Sequence, residues 1–139
     1  MRNEDIVKPW ILIVTHGEFG KELKKSAEMI MGQMQDTYCF SLLEEMDPLE
    51  LKNQINDVLN NAPGESIIFT DIFGGTPSNI AATFSKKHYV ISGVNLPMIV
   101  EAEISRTQME IRDLIQKIIH SASEGIQNIS EIMSERERI

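Results

Sequence analysis

The 139-residue chain, 42% of it hydrophobic, is sized for one globular domain spanning residues 1–139, with a core over about residues 10–133. Its formal net charge of −8 argues against nucleic acid or an anionic membrane as the main partner, because both require a basic surface. No run approaches the ~20 apolar residues of a membrane span, and the polar, acidic start is unlike a signal peptide. We therefore expect a soluble, cytoplasmic protein.

The first predicted element is a strand, the aliphatic run at residues 11–14, which is followed directly by Thr15, His16 and Gly17. Consecutive aliphatic residues bounded by a glycine are typical of a strand that is buried on both faces of a parallel sheet. Ligands of open α/β sheets bind outside the carboxyl ends of such strands. His16 therefore stands where chemistry is expected.

Helix and strand patterns then alternate along the chain. Apolar residues at helical spacing predict a helix over residues 18–31, and a short strand is expected near residues 37–42. Asp47 before Pro48 predicts the start of a second helix, since an acidic N-cap followed by proline is a common helix start. The single cysteine, Cys39, lies in an apolar stretch and is expected to be a small core residue rather than a reactive thiol.

A second buried strand, residues 66–70, also ends in a polar group, which is Asp71. Thr76 before Pro77 repeats the cap-then-proline pattern. This pattern predicts a third helix that extends to about Lys87.

The last third of the chain contributes one strand and further helices. Residues 89–94 form the fourth predicted strand, and a loop with a short helix follows from residue 95. A capping box at residues 107–110 predicts the start of a long helix. Residues 124–133 fit either a helix or a short strand, because their apolar spacing suits a helix while Gly125 weakens it.

The alternating order of strands and helices predicts an α/β fold, a doubly wound and mainly parallel sheet with helices on both faces. With a flavodoxin-like strand order of 2-1-3-4, strands one and three are neighbours. His16 and Asp71 then meet in one crevice at the carboxyl edge of the sheet. Residues 124–133 are the candidate for an additional antiparallel edge strand.

A histidine beside an aspartate has a defined chemistry. Asp71 accepting a hydrogen bond from one ring nitrogen of His16 would fix the tautomer and leave a lone pair on the other nitrogen. That nitrogen can act as a general base, bind a metal or attack an electrophile. We expect no metal, because His88 and His120 belong to other segments and are interpreted as surface residues. No Gly-x-Ser-x-Gly elbow supplies a nucleophile for a general base.

Glycines close to His16 and Asp71 indicate what kind of electrophile the His16 ring would attack. Gly74 and Gly75 can bring backbone N–H groups close to an anion at a helix start. The Thr76 hydroxyl adds a donor, and Gly17 opens the first helix on the other side. A phosphoryl group between these donors and the histidine fits the nucleophile role. Each feature alone also has a purely structural interpretation, as a helix cap, a tight turn or a polar strand end.

At these positions the chain resembles the IIA component of the mannose-family sugar phosphotransferase system (PTS). The similar segments stand in the family's order and spacing from about Ile11 to Ile118, and the most specific of them begins at Asp71. They are Thr15-His16-Gly17, Ser26-Ala27-Glu28-Met29-Ile30, Asp71-Ile72-Phe73-Gly74-Gly75-Thr76-Pro77-Ser78-Asn79 and Gly93-Val94-Asn95-Leu96-Pro97-Met98.

The resemblance implies a phosphocarrier, a phosphotransferase with a phosphohistidine intermediate and no cofactor. His16 would receive a phosphoryl group on Nε2 from the phosphohistidine protein HPr and pass it to a IIB component. IIB then phosphorylates a sugar as the membrane subunits IIC and IID import it. Asp71 would bond the ring, while Thr76 and nearby backbone groups would contact the phosphoryl oxygens. The family also implies a homodimer that exchanges an antiparallel edge strand, for which residues 124–133 are the candidate.

Docking to HPr and IIB is expected around the His16 crevice. Phe73, Leu96, Pro97 and Met98 form a candidate apolar rim there. The same four residues could instead fill the core, since apolar loop residues often pack inward.

Two alternative functions remain open. The phosphocarrier subunit of dihydroxyacetone kinase shares the fold and an N-terminal histidine, but the block at residues 73–77 favours the sugar system. A flavodoxin-like nucleotide- or flavin-binding module would need a glycine- or hydroxyl-rich loop after the first strand, and residues 15–20 are a poor match. A receiver domain is favoured even less, because it would need an acidic cluster at the end of the first strand and none is there.

Overall fold

A parallel sheet forms the centre of the protein, whose computed structural model describes residues 5–137. Its four strands are β1 (Ile11–His16), β2 (Thr37–Leu42), β3 (Ile67–Thr70) and β4 (Tyr89–Ile91). All strand pairs are parallel, and the strands lie in the order β2-β1-β3-β4. The parallel sheet predicted from the alternation of helices and strands is therefore confirmed, as is its flavodoxin-like strand order of 2-1-3-4.

Helices cover both faces of this sheet. They are α1 (Phe19–Met31), α2 (Pro48–Leu59), α3 (Thr76–Ala82), α4 (Leu96–Ser105), α5 (Ile111–Glu124) and α6 (Ile129–Glu137). Ile11 and Ile13 of β1 pack with α1, α4 and α5, whereas Leu12 and Val14 pack with α2 and α3. Because both faces of β1 are covered, its aliphatic run is fully buried. Of the helices between residues 5 and 137, none combines the length and apolar character that crossing a membrane demands.

The central position of β1 places its carboxyl end between those of β2 and β3. The strand register pairs Val14 with Thr70 and His16 with Leu42. The turn that follows β3 therefore starts beside the last residues of β1. Strand order and register together decide which side chains meet at this edge.

A buried arginine fastens the end of α4 to the opposite, amino edge of the sheet. The Arg106 side chain is fully buried and forms an ion pair with Glu103, with 2.7 Å between Nη2 and Oε1. It also donates to the backbone carbonyls of Pro9 and Asp36, each at 3.1 Å, and to that of Gln35. A buried charge is tolerated when it is paired and hydrogen-bonded in this way. Arg106 thus fixes the segments that lead into β1 and β2.

The third helix is shorter than its sequence pattern predicts. α3 ends at Ala82, whereas the pattern predicts a helix to about Lys87. The chain continues beyond Ala82 in tighter turns, in which, for example, the Thr83 N–H donates to the Ile80 carbonyl at 3.1 Å. The prediction of a helix in this segment is confirmed, but its carboxyl boundary was wrong. The predicted Thr76 cap is also wrong, because Gly75 is the N-cap and Thr76 is already the first helical residue.

The start of α5 also differs from the prediction. The helix begins at Ile111, so the proposed capping box at residues 107–110 is wrong. The Gln108 N–H donates to the Ser105 carbonyl at 2.9 Å, so these residues belong to the turn that ends α4. Glu110 is the N-cap instead, without a side-chain capping bond.

The carboxyl-terminal segment is helical. Residues 124–133 contain the end of α5, a short connection and the first part of α6. Asn128 caps α6 by accepting a hydrogen bond from the Glu131 N–H at 3.1 Å. The antiparallel edge strand considered from the sequence is therefore absent from residues 5–137, and no described side chain of α6 is buried.

A carboxylate between α4 and α5 gives the helical layer a pH dependence. Glu101 on α4 accepts hydrogen bonds from Ser105 at 2.5 Å and from Ser121 on α5 at 2.6 Å. The bond from Ser105 and then that from Ser121 hold the pKa of Glu101 below its ordinary value of 4.5, and the charge of Lys117 adds to the effect. The stability from this group is therefore present above about pH 4.5 and is lost as the pH falls through the lowered pKa.

We expect Glu101→Gln to lower the free energy of unfolding at pH 7 by about 1 kcal/mol, since it weakens two hydrogen bonds to a charged acceptor. The difference from the unmodified chain should shrink as the pH falls below 4.5. Urea unfolding in steps from pH 7 to acid conditions measures this. Glu22→Gln, which removes an exposed pair with Lys25, should change little. A difference that stays constant across the titration would contradict the role of the Glu101 charge.

Candidate functional site

The turns after β1 and β3 bring a histidine and an aspartate from distant parts of the sequence into contact. His16 is the last residue of β1, and Asp71 directly follows β3. His16 Nδ1 lies 2.7 Å from Asp71 Oδ2, although the two residues are 55 positions apart. The structure thus brings the two main candidate residues together.

Asp71 is held by hydrogen bonds to both of its carboxylate oxygens. Besides the ring, Oδ2 accepts from the His16 backbone N–H at 2.8 Å, and Oδ1 accepts from the Ile72 N–H at 3.0 Å. Partial burial raises the pKa of Asp71, but the hydrogen bonds from the His16 amide and ring outweigh burial and leave the pKa below its ordinary value. The group is therefore an oriented carboxylate at neutral pH.

This carboxylate determines which ring nitrogen carries a proton. An ionised carboxylate can only accept a hydrogen bond, so Nδ1 of His16 donates and the neutral ring keeps its lone pair on Nε2. The His16 side chain has 52% of its surface exposed. The ring is therefore a half-exposed, oriented imidazole whose Nε2 lone pair can act as a nucleophile or a general base.

Gly75 lies against the imidazole. A Cβ atom at this position would stand 2.9 Å from His16 Cε1, 3.6 Å from His16 Nε2 and 3.0 Å from a methyl carbon of Ile72. Any larger residue would therefore have to displace the ring. Gly75, which the sequence suggests as a phosphate-binding residue, is placed beside the nitrogen that would carry the phosphate.

Two backbone amides beside Gly75 are candidates for anion binding. Gly74 has a φ of 84°, a left-handed conformation that favours glycine, and α3 begins at Thr76. Among residues 5–137, no backbone carbonyl accepts a hydrogen bond from the amide N–H of Gly74 or of Thr76. Amides at the start of a helix bind anions readily. Gly74 and Thr76 therefore remain candidate phosphate-binding residues.

The structure changes the interpretation of Gly17. Its N–H donates to the Leu42 carbonyl at 2.8 Å, which joins the turn after β1 to the end of β2. That donor is already used, so Gly17 offers no backbone N–H to a phosphoryl group, and its expected binding role is wrong. Its φ of 55° instead lets the chain turn from β1 into α1.

The four residues predicted to form an apolar rim are not equivalent. Phe73, two residues beyond the aspartate, has 86% of its surface exposed. Leu96 and Pro97 are half-buried in the first turn of α4, where Pro97 lies against Gly125. Met98 is only 2% exposed and belongs to the core, so its assignment to the rim is wrong.

Four more exposed apolar side chains at this edge of the sheet were missed from the sequence. Each sits in a turn that follows a strand or in the first turn of a helix, and each is about half exposed or more. They are Phe19, Leu43, Leu49 and Ile72. Position is the signal that could have identified them, because turns and helix starts at the carboxyl ends of parallel strands all lie on one side of the sheet.

The other groups with catalytic potential lie elsewhere. His88 Nδ1 accepts from the Ser66 N–H at 2.9 Å, and burial lowers the pKa of His88. His120 is exposed and lies 3.1 Å from a carboxylate oxygen of Glu124. Cys39 is half-buried, and burial raises the pKa of its thiol. In the part of the chain that the structure describes, no three His, Cys, Asp or Glu side chains are grouped to hold a metal ion.

Comparison with known proteins identifies the family. Residues 10–119 match the family model described as "PTS system fructose IIA component". The chain belongs to this family. It is an EIIA component of the mannose family of the PTS, which favours the sugar system over the dihydroxyacetone kinase and flavodoxin-like alternatives.

Curated relatives are similar to this EIIA component along most of its length. The fructose-specific EIIA component of Bacillus subtilis (strain 168) is 29% identical over 126 residues, covering 87% of this chain and 86% of the relative. The sorbose-specific EIIA component of Lacticaseibacillus casei is 28% identical over 132 residues, covering 89% and 93%. The mannose-specific EIIAB component of Escherichia coli (strain K12) is 30% identical over 122 residues, covering 84% of this chain and 38% of that longer protein.

Solved structures agree with the fold of this EIIA component. The phosphotransferase system component EIIA from Streptococcus agalactiae superimposes with a TM-score of 0.83 at 32% identity, covering 88% of this chain and 98% of the other. The mannose/sorbose-specific IIA subunit from Enterococcus faecalis gives a TM-score of 0.77 at 25% identity, covering 87% and 94%. The doubly wound sheet is thus shared with EIIA components.

Gly75→Ala tests the contact between the glycine turn and the imidazole. The added methyl group would meet the His16 ring at 2.9 Å, so we expect the ring to tilt and its bond to Asp71 to weaken. Imidazole NMR spectra should then lose the strongly hydrogen-bonded Nδ1 proton. Gly64→Ala is the control, since its Cβ would meet Val7 at an ordinary 3.6 Å. An unchanged spectrum for Gly75→Ala would contradict the close approach.

Proposed function

We propose that this EIIA component is a phosphocarrier in which His16 accepts a phosphoryl group from phospho-HPr on Nε2 and donates it to a IIB component. The observation that carries the proposal is the 2.7 Å contact between His16 Nδ1 and Asp71 Oδ2, which leaves Nε2 as the nucleophile of a half-exposed ring. The printed names of the relatives, which are EIIA and EIIAB components, support the same role. IIB would then phosphorylate a sugar as the membrane subunits IIC and IID import it.

The proposed step is an in-line displacement at phosphorus. The Nε2 lone pair of His16 forms the new P–N bond, while the P–N bond of the donor phosphohistidine breaks and its electron pair returns to the donor imidazole. The ring of His16 gains positive charge during this step. Asp71 stabilises that charge because its carboxylate accepts a hydrogen bond from the Nδ1–H group throughout the step. The same displacement in the onward direction transfers the group to IIB.

The phosphoryl oxygens are assigned to the glycine turn in this proposal. The amides of Gly74 and Thr76 are the proposed donors, and Gly75 leaves room for the group beside Nε2. The Thr76 hydroxyl is a further candidate donor. The two amides are fixed in the backbone before the phosphoryl group arrives, so they reorganise little during transfer.

Both partners are proposed to dock on the same face, since His16 is reached from the carboxyl edge of the sheet. Phe73 is the principal apolar contact, with Leu96 and Pro97 as flanking, half-buried residues. An exposed aromatic residue is a common anchor in protein interfaces. Ile72, in the same turn, extends the apolar surface of Phe73.

A homodimer is also part of the proposal. α6 is only nine residues long and buries none of its described side chains, and isolated helices shorter than ~12–15 residues are marginal in water. Its apolar residues Ile129, Ile132 and Met133 are exposed and would be covered by a second copy of the chain. An exchanged strand is not included, because residues 129–137 are helical.

His16→Ala should abolish phosphate uptake while leaving the fold intact, because the half-exposed side chain supplies the nucleophile and little core packing. Incubation with labelled phosphoenolpyruvate, Enzyme I and HPr should give an acid-labile, alkali-stable phosphate on the unmodified chain. The control is His120→Ala, which changes an exposed histidine on α5 and should be labelled normally. Normal labelling of His16→Ala would show that the phosphorylated residue has been misassigned.

Phe73→Ser should weaken the binding of phospho-HPr without changing the rate of the phosphoryl-transfer step. We expect KM for phospho-HPr to rise roughly tenfold with kcat unchanged, because loss of an aromatic anchor typically costs ~1–2 kcal/mol of binding. Steady-state phosphotransfer at varied HPr concentration measures both constants. The matched control is Met29→Ser, which alters an equally exposed apolar residue on α1. Equal effects of the two substitutions would remove Phe73 from the docking surface.

A further inference from the structure

A fully buried threonine directly precedes each member of the His–Asp pair. Thr15 precedes His16, and Thr70 precedes Asp71. Thr15 Oγ1 accepts from the Gly20 N–H at 2.9 Å, which ties the start of α1 to the end of β1. Thr70 takes part in a longer connection, which starts in β3 and ends in the turn that contains the aspartate.

The direction of this connection follows from its proton count. Ser78 Oγ lies 2.6 Å from Thr70 Oγ1 and donates to the Ile72 carbonyl at 2.5 Å. A serine hydroxyl has one proton, so Ser78 must accept from Thr70 while it donates to Ile72. We call this directed chain, from Thr70 through Ser78 to the Ile72 carbonyl, the hydroxyl relay.

The hydroxyl relay is buried, and its neighbours along the chain are apolar core residues. Thr70 is 0% and Ser78 is 8% exposed, and the neighbouring residues Ile68, Ile80 and Ala81 belong to the apolar core. Replacing both partners of a buried hydrogen bond by apolar groups of similar shape can cost little stability. Stability alone therefore does not require two hydroxyl groups here, whereas a fixed geometry does.

The relay ends at the residue that orients the aspartate. The Ile72 N–H donates to Asp71 Oδ1 at 3.0 Å, and the Ile72 carbonyl also accepts from the Gly75 N–H at 3.4 Å. Gly74 and Gly75 have no side chains with which to hold the turn in place. A shift of Ile72 would therefore move the Asp71 carboxylate and the Gly75 backbone relative to the His16 ring at the same time.

We propose that Thr70 and Ser78 are positioning residues for phosphoryl transfer. The hydroxyl relay holds the turn at residues 71–75 so that Asp71 and Gly75 keep the His16 ring in its attacking orientation. Both hydroxyls act through this turn and contact neither the ring nor the phosphoryl group. The inference rests on the proposed function of His16 as the phosphoryl acceptor.

Thr70→Val removes the first hydroxyl of the relay with little change in shape. We expect the single-turnover rate of transfer from phospho-HPr to fall about tenfold, the lower end of the ~10- to 100-fold losses seen when a direct hydrogen-bond partner of a metal-binding histidine is removed, because Thr70 acts on His16 through intermediate groups. KM for phospho-HPr should be unchanged, since the docking surface is untouched. The Nδ1 proton signal of His16 should shift in the same variant. Thr70→Ser keeps the hydroxyl and should restore most of the rate.

Thr37→Val is the matched control. Thr37 is a buried threonine at the start of β2, at the opposite edge of the sheet. Its hydroxyl donates to the Gln35 carbonyl at 2.9 Å and accepts from the buried Arg106 guanidinium at 3.4 Å. This variant loses an equivalent hydroxyl and should transfer phosphate at the unmodified rate. The positioning role is wrong if Thr70→Val transfers at the unmodified rate, or if Thr37→Val slows transfer equally. Should Thr70→Val fail to fold, Ser78→Ala must give the same loss.

A double variant separates this inference from the proposed function. If the hydroxyl relay acts through the aspartate, Thr70→Val should add little further loss of rate to Asp71→Asn, because both changes act on the same contact between Asp71 and the His16 ring. If the losses of rate in the two single variants add in the double variant, the proposed positioning role of Thr70 and Ser78 is wrong. An unmodified chain that takes up no phosphate would refute the phosphocarrier role, while the His16 signal in Thr70→Val would still decide whether the relay positions the ring.

Discussion

The hydrogen bond from the His16 ring to the Asp71 carboxylate is the interaction on which the functional arrangement depends. It links residues 55 positions apart, and it forms because β1 and β3 are adjacent and end at the same edge of the sheet. The covered faces of β1 leave the strand no freedom to slide, so the ring is presented from a rigid support. The carboxylate is equally constrained, since three N–H groups point at its two oxygens.

The general fold could be predicted because its main signals are local. Two aliphatic runs identify the strands that are buried on both faces, and the alternation with amphipathic helices identifies a parallel sheet. The Asp47 cap is also as predicted, with the Leu49 N–H donating to its carboxylate at 2.9 Å. Helix ends were less accurate, because the turns after Ala82 and before Ile111 depend on backbone bonds that no composition pattern reveals.

The His–Asp pair of the candidate site could be predicted from the sequence, whereas the roles of the residues around it were predicted less accurately. His16 and Asp71 follow from strand order, which needs only topology. The amide of Gly17 could not be assigned from sequence, since its acceptor is a carbonyl on a neighbouring strand. The assignment of Met98 to the apolar rim was wrong for a similar reason. Whether an apolar residue in the first turn of a helix faces the core depends on the rotation of that helix about its axis against the sheet. The hydroxyl relay is likewise invisible until Thr70 and Ser78 are placed in space.

The orientation of the imidazole also bears on the kinetics of phosphoryl transfer through His16. Asp71 lies against one side of the ring and the glycine turn against another, so in the proposed function the donor and the acceptor would both reach Nε2 from the remaining exposed side. Two macromolecules cannot use one approach simultaneously. Such a carrier would follow a ping-pong scheme, and an excess of the unphosphorylated acceptor would compete with the donor for the protein.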